Sequence, residues 1–212
     1  MSPATKKRGN AAKPAAGKAP HAAPATKPRP LPGSKAGTSG PSPKARRSLD
    51  EFMAQAWAME MEAAQRYSDF ADAMETHNNL EVAAMFRTMA QYENRHALQI
   101  LAEMGWTEPP VAPGSGFAWP SFEAPETAPI DDVHYLMQPW HALQLALAAE
   151  ERAERFFGEL AHAAPNESVR RAARELQAEE REHVALVKAW MKKVPKPDPE
   201  WAHDFDPARY TD

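Results

Sequence analysis

The chain has 212 residues, no cysteine and a formal net charge of −4, which leaves room for one medium domain and some excess. The lack of cysteine excludes disulfides, thiolate metal sites and cysteine nucleophiles, so any metal must be held by oxygen and nitrogen. No apolar run is long enough to span a bilayer and the N-terminus lacks the apolar stretch of a secretory signal, so the expectation is a cytoplasmic protein with no membrane partner.

The charge is sharply divided. Residues 1 to 47 carry eleven Lys or Arg and no acid, leaving fourteen basic against 29 acidic residues, a net of −15, for the remainder. Residues 1–48 are mainly Ala, Pro, Lys, Gly and Ser, with Met1 and Leu31 as the only large apolar side chains. Such a segment cannot bury enough surface to offset its ordering entropy, so a disordered tail is expected. One reading is a solubilising or tethering tail. Another is an arm for nucleic acid through residues 1–47, since Lys6, Lys7, Arg8 and the other cations could release counterions from phosphates. No aromatic is interleaved to stack on bases, so such binding would be sequence-blind. A mitochondrial presequence is opposed by the proline density.

The ordered part, residues 49–193, opens at "SLDEF", where Ser48 and Glu51 have capping-box spacing. Leu49, Phe52, Ala56, Ala63, Tyr67, Phe70 and Met74 then recur at helical intervals until "THNN". A second helix is expected from about Leu80 to Met104, ending near Gly105, with Val82, Phe86, Met89, Ile100 and Met104 on one stripe. Residues 106–138, which include "EPPVAPGSG", form a long crossover loop, and Trp106, Phe117, Trp119 and Phe122 suggest that it lies against the body. A third helix is expected over about Pro139 to Ala163 and a fourth over about Ser168 to Lys193. Residues 194–212 have no helical period, and Trp201 and Tyr210 are candidates to pin them down.

The second pair of helices repeats the first. Asn79, Val82, Glu93 and His96 share the spacing of Asn166, Val169, Glu180 and His183, and "AMEMEAAQRYSDFA" parallels "LAAEERAERFFGELA", aligning Glu60 with Glu150 and Tyr67 with Phe157. A duplicated helical hairpin joined by a long loop predicts an all-α four-helix bundle with one crossover connection.

The polar residues of this repeat lie where apolar ones belong. Glu93 and His96 interrupt the stripe Val82, Phe86, Met89, Ile100; Glu180 and His183 interrupt Val169, Ala173, Leu176, Val187, Trp190. Glu60 lies between Ala56 and Ala63, and Glu150 between Leu143 and Phe157. Four carboxylates and two imidazoles thus converge on one core with no Lys or Arg on the same stripes. Each unpaired buried charge would lose several kcal/mol of hydration. Two divalent cations would cancel the four negative charges and occupy the imidazole lone pairs.

One Glu from each of two helices with a Glu-x-x-His from each of the other two is the constellation of ferritin-like di-iron carboxylate proteins. Through "EMEAAQRY" (Glu60 to Tyr67), "EERAERFF" (Glu150 to Phe157), "ENRH" and "EREH", the sequence resembles that superfamily, and within it the rubrerythrin-like branch. The resemblance implies a ferritin-like bundle binding two iron ions, with manganese as the other candidate. Glu93 and Glu180 would bridge, Glu60 and Glu150 would be terminal, and His96 and His183 would each cap one metal. Tyr67 would be a hydrogen-bond donor or redox-active neighbour beside the site, although its counterpart Phe157 favours a packing role. Two departures stand out: the four-cysteine rubredoxin-like iron site of rubrerythrins proper is missing, and Ala153 stands where they carry an extra carboxylate three residues after the third-helix Glu. No helix is expected after Lys193, which argues against a storage shell.

The implied activity is a di-iron oxidoreductase that oxidises two Fe(II) with O2 or H2O2, of ferroxidase or peroxide-scavenging type, dependent on an external electron donor. A homodimer fits the resemblance, though no surface stripe specifies one. The alternative is a ferritin-like stress-response or DNA-tethered binding module. A third reading is oxidation of an organic substrate, with the crossover loop as its pocket. His77, His134, His141, His162 and His203 are read as surface or loop residues, with His141 and Met137 candidates for an access route, and Trp57, Trp140 and Trp190 as packing.

Overall fold

Four helices realise the four periodic segments: α1 (Pro43–Thr76), α2 (Leu80–Met104), α3 (Pro139–Ala163) and α4 (Glu167–Met191). The computed structural model describes residues 43–111 and 124–204, with side chains from Ser48 onward. The tail before residue 43, the aromatics Phe117, Trp119 and Phe122, and Tyr210 lie outside the described residues.

Helix α1 corrects one expectation. It starts at Pro43, so Ser48 is inside the helix and is not its cap. Proline suits a first helical turn because its missing N–H has no partner there anyway, and nothing in the following "KARRS" interrupts a helix. The turn to α2 is closed by Asn78 in the left-handed region (φ 58°), with Asn79 N–H donating to Met74 O at 2.8 Å. Asn79 then caps α2: its Oδ1 accepts from Val82 N–H at 3.4 Å. Its Nδ2 donates to Tyr135 O and Met137 O at 3.1 and 2.7 Å, which ties the end of the crossover to the first hairpin. Gly105, at φ 67°, ends α2, and Trp106 N–H reaches back to Leu101 O at 2.9 Å. In the second hairpin Asn166 repeats the cap of Asn79, accepting from Ser168 N–H at 2.8 Å.

α1 packs chiefly on α2 and α3 on α4, with the two hairpins facing each other. Their shared interior divides into two apolar cores. One contains Tyr67, Phe70, Met74, Val82, Phe86, Leu143 and Trp190. The other contains Phe52, Met59, Ile100, Phe157, Val169 and Leu176. On every helix the ligand candidates fall, in sequence, between the residues of one core and those of the other. The polar layer is therefore sandwiched between two apolar ones, its carboxylates buried and its two histidines partly exposed. Among the described residues no helix is long and apolar enough to cross a membrane.

Candidate metal centre

Each helix delivers its polar residue to the same level of the bundle. Glu60, Glu93, Glu150 and Glu180 are 2, 2, 6 and 1% exposed, burial that charged residues tolerate only with a partner. His96 Nδ1 lies 3.5 Å from Glu60 Oε2 and 3.3 Å from Glu93 Oε2. In the other hairpin His183 Nδ1 lies 3.4 Å from Glu150 Oε2 and 3.1 Å from Glu180 Oε2. The duplication thus yields two equivalent Glu-Glu-His groups, and within each the ligating atoms all fall within 4.8 Å of one another. The two imidazoles lie face to face, ring centres 4.2 Å apart and planes 4° from parallel.

Glu60 Oε2, Glu93 Oε2, Glu150 Oε2 and His96 Nδ1 are buried without a hydrogen-bond partner. Orphaned polar atoms of this kind are rare in native interiors and mark a functional constraint or a bound ion. Their protonation reflects the crowding. Burial, reinforced by Glu150 and Glu60, raises the Glu93 carboxyl; burial and Glu150 raise Glu180 well above the ordinary carboxylate range. For Glu150, burial pushes upward, but His183 prevails and lowers it. Burial pulls the His96 imidazole down, yet Glu60 and Glu93 outweigh it and raise the ring to about 10. His183 is likewise raised well above its usual value by Glu150 and Glu180 against its own burial. The two rings and the raised carboxyls are thus shifted toward their protonated forms, and a bound ion would compete with those protons.

The site holds a fifth carboxylate that helical periodicity does not reveal. Glu126, in the crossover, is 1% exposed, and neither of its oxygens has a hydrogen-bond partner. It falls within range of Glu60 with Glu180, and of Glu93 with Glu150. Burial and the charges of Glu60, Glu93, Glu180 and Glu150 raise it well above the ordinary range. Ala153, fully buried one turn beyond Glu150, carries no carboxylate, and the crossover supplies one at this level of the bundle. The sequence signal for Glu126 is weak: it is the second of two acids in "EAPETAP", a stretch whose prolines favour turns.

Tyr67 is a core residue with a buried, unpartnered hydroxyl. Its ring is core, stacked on Phe86 at 6.1 Å and edge-on to Phe70 at 6.5 Å. Its hydroxyl is buried without a partner, and burial together with the charges of Glu93, Glu150 and Glu126 raises its pKa well above the usual value. Among the outlying histidines, His141 is a helix cap: its Nδ1 accepts from Gln138 N–H at 3.0 Å, and its ring packs 3.9 Å from that of Trp201. Trp201 packs against the Tyr67 core. Trp190 is buried and meets Tyr92 at 5.6 Å. Glu154 pairs with Arg181 at 2.7 Å and stays out of the site.

Five carboxylates and two imidazoles make a hard, oxygen-rich donor set of the kind that suits iron or manganese, so the residues fit a pair of such ions. Comparison with known proteins agrees with that chemistry. The family model for rubrerythrin matches the chain over residues 51–113 and again over 141–203, one segment per hairpin. A solved structure, an uncharacterized conserved protein from Magnetospirillum magnetotacticum MS-1, is 38% identical, with a TM-score of 0.51, over 71% of this chain and 97% of that one. No curated protein matches. The duplicated hairpin, the paired Glu-Glu-His groups and these matches lead to one conclusion: the chain belongs to the rubrerythrin family.

Proposed function

We propose that the protein is a di-iron oxidoreductase, with Glu60, Glu93 and His96 holding one metal and Glu150, Glu180 and His183 the other. Glu93 and Glu180, the acids of the two Glu-x-x-His motifs, would bridge the pair, and Glu60 and Glu150 would be terminal ligands. The observation that carries the reading is the pair of equivalent Glu-Glu-His groups, their carboxylates buried, whose ligating atoms lie within 4.8 Å of one another. When bound, an iron pair supplies one-electron redox chemistry toward O2 or H2O2.

The chain's own residues set the conditions for that chemistry. Buried carboxylates concentrate negative charge where water cannot screen it, which favours the more highly charged oxidation state of a metal held there. The two apolar cores exclude water from either side of the layer. The Tyr67 hydroxyl, buried without a partner, would be free to donate a hydrogen bond to the site. With no cysteine in the chain, a rubredoxin-like relay cannot be built from it, so repeated turnover draws electrons from an external donor. Manganese in place of iron would leave the ligand roles unchanged.

The test is an anaerobic Fe(II) titration of metal-free protein, then exposure of matched samples to O2 and to H2O2 with the near-ultraviolet absorption recorded. Saturation at two irons per chain supports the reading. Faster oxidation by peroxide assigns a scavenging role, and faster oxidation by O2 a ferroxidase role. Failure to bind iron stoichiometrically would refute the site.

A second role, compatible with the first, rests on the charge split between residues 1–47 and the rest: tethering to nucleic acid by the tail. A salt-dependent shift of DNA mobility that disappears on deletion of residues 1–47 would support it.

A further inference from the structure

We propose that Glu126 is a fifth carboxylate ligand, supplied by the crossover segment Ala124–Ala128, and that metal binding further tightens this strap against the bundle. The inference rests on the di-metal reading above. It concerns a residue in the stretch between the two family-model matches, which end at 113 and resume at 141.

Three observations point to it. First, both Glu126 oxygens are buried and unpartnered, and the side chain comes within ligand range of carboxylates from all four helices. Each helical Glu-Glu-His group belongs to one hairpin; among the described residues, Glu126 is the one member that groups with both Glu60 and Glu180, and with both Glu93 and Glu150. A carboxylate in that position can serve both metals.

Second, the segment is built to aim it. Thr127 N–H donates to Ala124 O at 3.0 Å, closing a turn with Pro125 and Glu126 at its centre, and proline presets the backbone at the first of those two positions. Ala124 packs in the Phe52 core and Ala128 in the Tyr67 core. The segment therefore runs from one apolar layer to the other, with Glu126 at the level of the polar layer between them. Side chains of α1 and α3 fix it: Glu62 Oε1 accepts from Thr127 Oγ1 at 2.9 Å and from Ala124 N–H at 3.4 Å. Arg66 donates to Ala128 O at 2.8 Å, and Arg152 to Pro125 O and Thr127 O at 2.9 and 3.1 Å.

Third, the charge balance changes sense with it. Four carboxylates are neutralised by two divalent ions, leaving nothing to offset the added charge of the trivalent state. With Glu126 the five carboxylates leave −1 against two divalent ions and +1 against two trivalent ones. The site is then poised about neutrality across both oxidation states.

The experiment uses the full metal-free chain with Co(II) as probe, titrated anaerobically while the visible absorption is recorded, and amide exchange of residues 124–128 followed with and without metal. The wild type should bind two Co(II) and slow exchange in the strap. E126Q, which keeps the size of the side chain, should bind at least about tenfold more weakly, with an altered spectrum and no strap protection. E126D, which keeps the charge but shortens the reach, should fall between them and serves if E126Q does not fold. Glu126 variants that match the wild type in affinity, spectrum and protection would overturn the proposal while leaving the six-ligand site standing. A wild type that binds no Co(II) would overturn the di-metal reading itself, and this inference with it.

Discussion

Glu62 and Arg152 occupy equivalent positions in the two hairpins, each two residues beyond the aligned acids Glu60 and Glu150, and they grip opposite polarities of one segment. Glu62 accepts from the N–H and hydroxyl groups of the Ala124–Ala128 strap, whereas Arg152 donates to its carbonyls. The helical scaffold is a near repeat, and this pair is where the copies have diverged to seat a single asymmetric loop.

Arg152→Ala should expose that dependence. It strips the Pro125 and Thr127 carbonyls, both on buried residues, of their charged donor, and each unsatisfied carbonyl is worth about 1–3 kcal/mol. The expected outcome is a lower melting temperature, faster amide exchange across the strap and weaker metal binding, with helical content kept. Unchanged exchange at 124–128 would show that the strap does not rely on Arg152.

Combining Glu93→Ala with Glu180→Ala should abolish paired metal binding while leaving a helical protein, because it removes one acid from each Glu-Glu-His group. Circular dichroism and metal titration check the two halves of this statement. Retained two-metal binding would refute the assigned site.

The metal-free protein should lose stability as pH rises. The His96 ring has a folded value of about 10 against 6.5 for an unperturbed histidine, so its contribution is complete below about 6.5 and is lost as pH climbs toward 10. Glu93, Glu126 and Glu180, also raised, act with the same sign at lower pH; Glu150, lowered, acts with the opposite one. Metal affinity should move the other way and increase with pH, since the ligands must shed protons to bind. Thermal denaturation and Zn(II) titration across this range test both trends, and a metal-free melting temperature that climbs with pH would contradict the first.

Two glycine substitutions should differ in a way that space alone does not explain. A Cβ at Gly105 would touch nothing within 4 Å, yet φ is +67° there, so Gly105→Ala should destabilise by about 1 kcal/mol. At Gly158, inside α3, an added Cβ would meet the Gln177 amide at 2.5 Å, the far end of a flexible side chain that can swing aside. The helix-propensity gain of about 0.5–1 kcal/mol then offsets the displacement, and Gly158→Ala should lie within about 0.5 kcal/mol of wild type. Chemical denaturation of both variants decides the ranking.

The sequence alone determined the helices and the inward placement of six residues of the candidate site, for a local reason. A period of 3.6 residues ties each position to a helix face, so Glu60, Glu93, His96, Glu150, Glu180 and His183 could be assigned to the interior one helix at a time, and the repeat supplied the check. The same local logic misplaced the start of α1, because capping-box spacing at Ser48 does not stop a helix that can extend back to Pro43. Glu126 was beyond it. A loop has no period, and nothing in "EAPETAP" says which side chain turns inward. That was decided by tertiary contacts 62 to 65 residues away in sequence, from Glu62 and Arg66 on α1, and by Arg152 on α3. Long-range hydrogen bonds orient a segment only once the helices carrying their partners have packed, so the inward aim of the fifth carboxylate exists in the folded structure and nowhere in the local sequence.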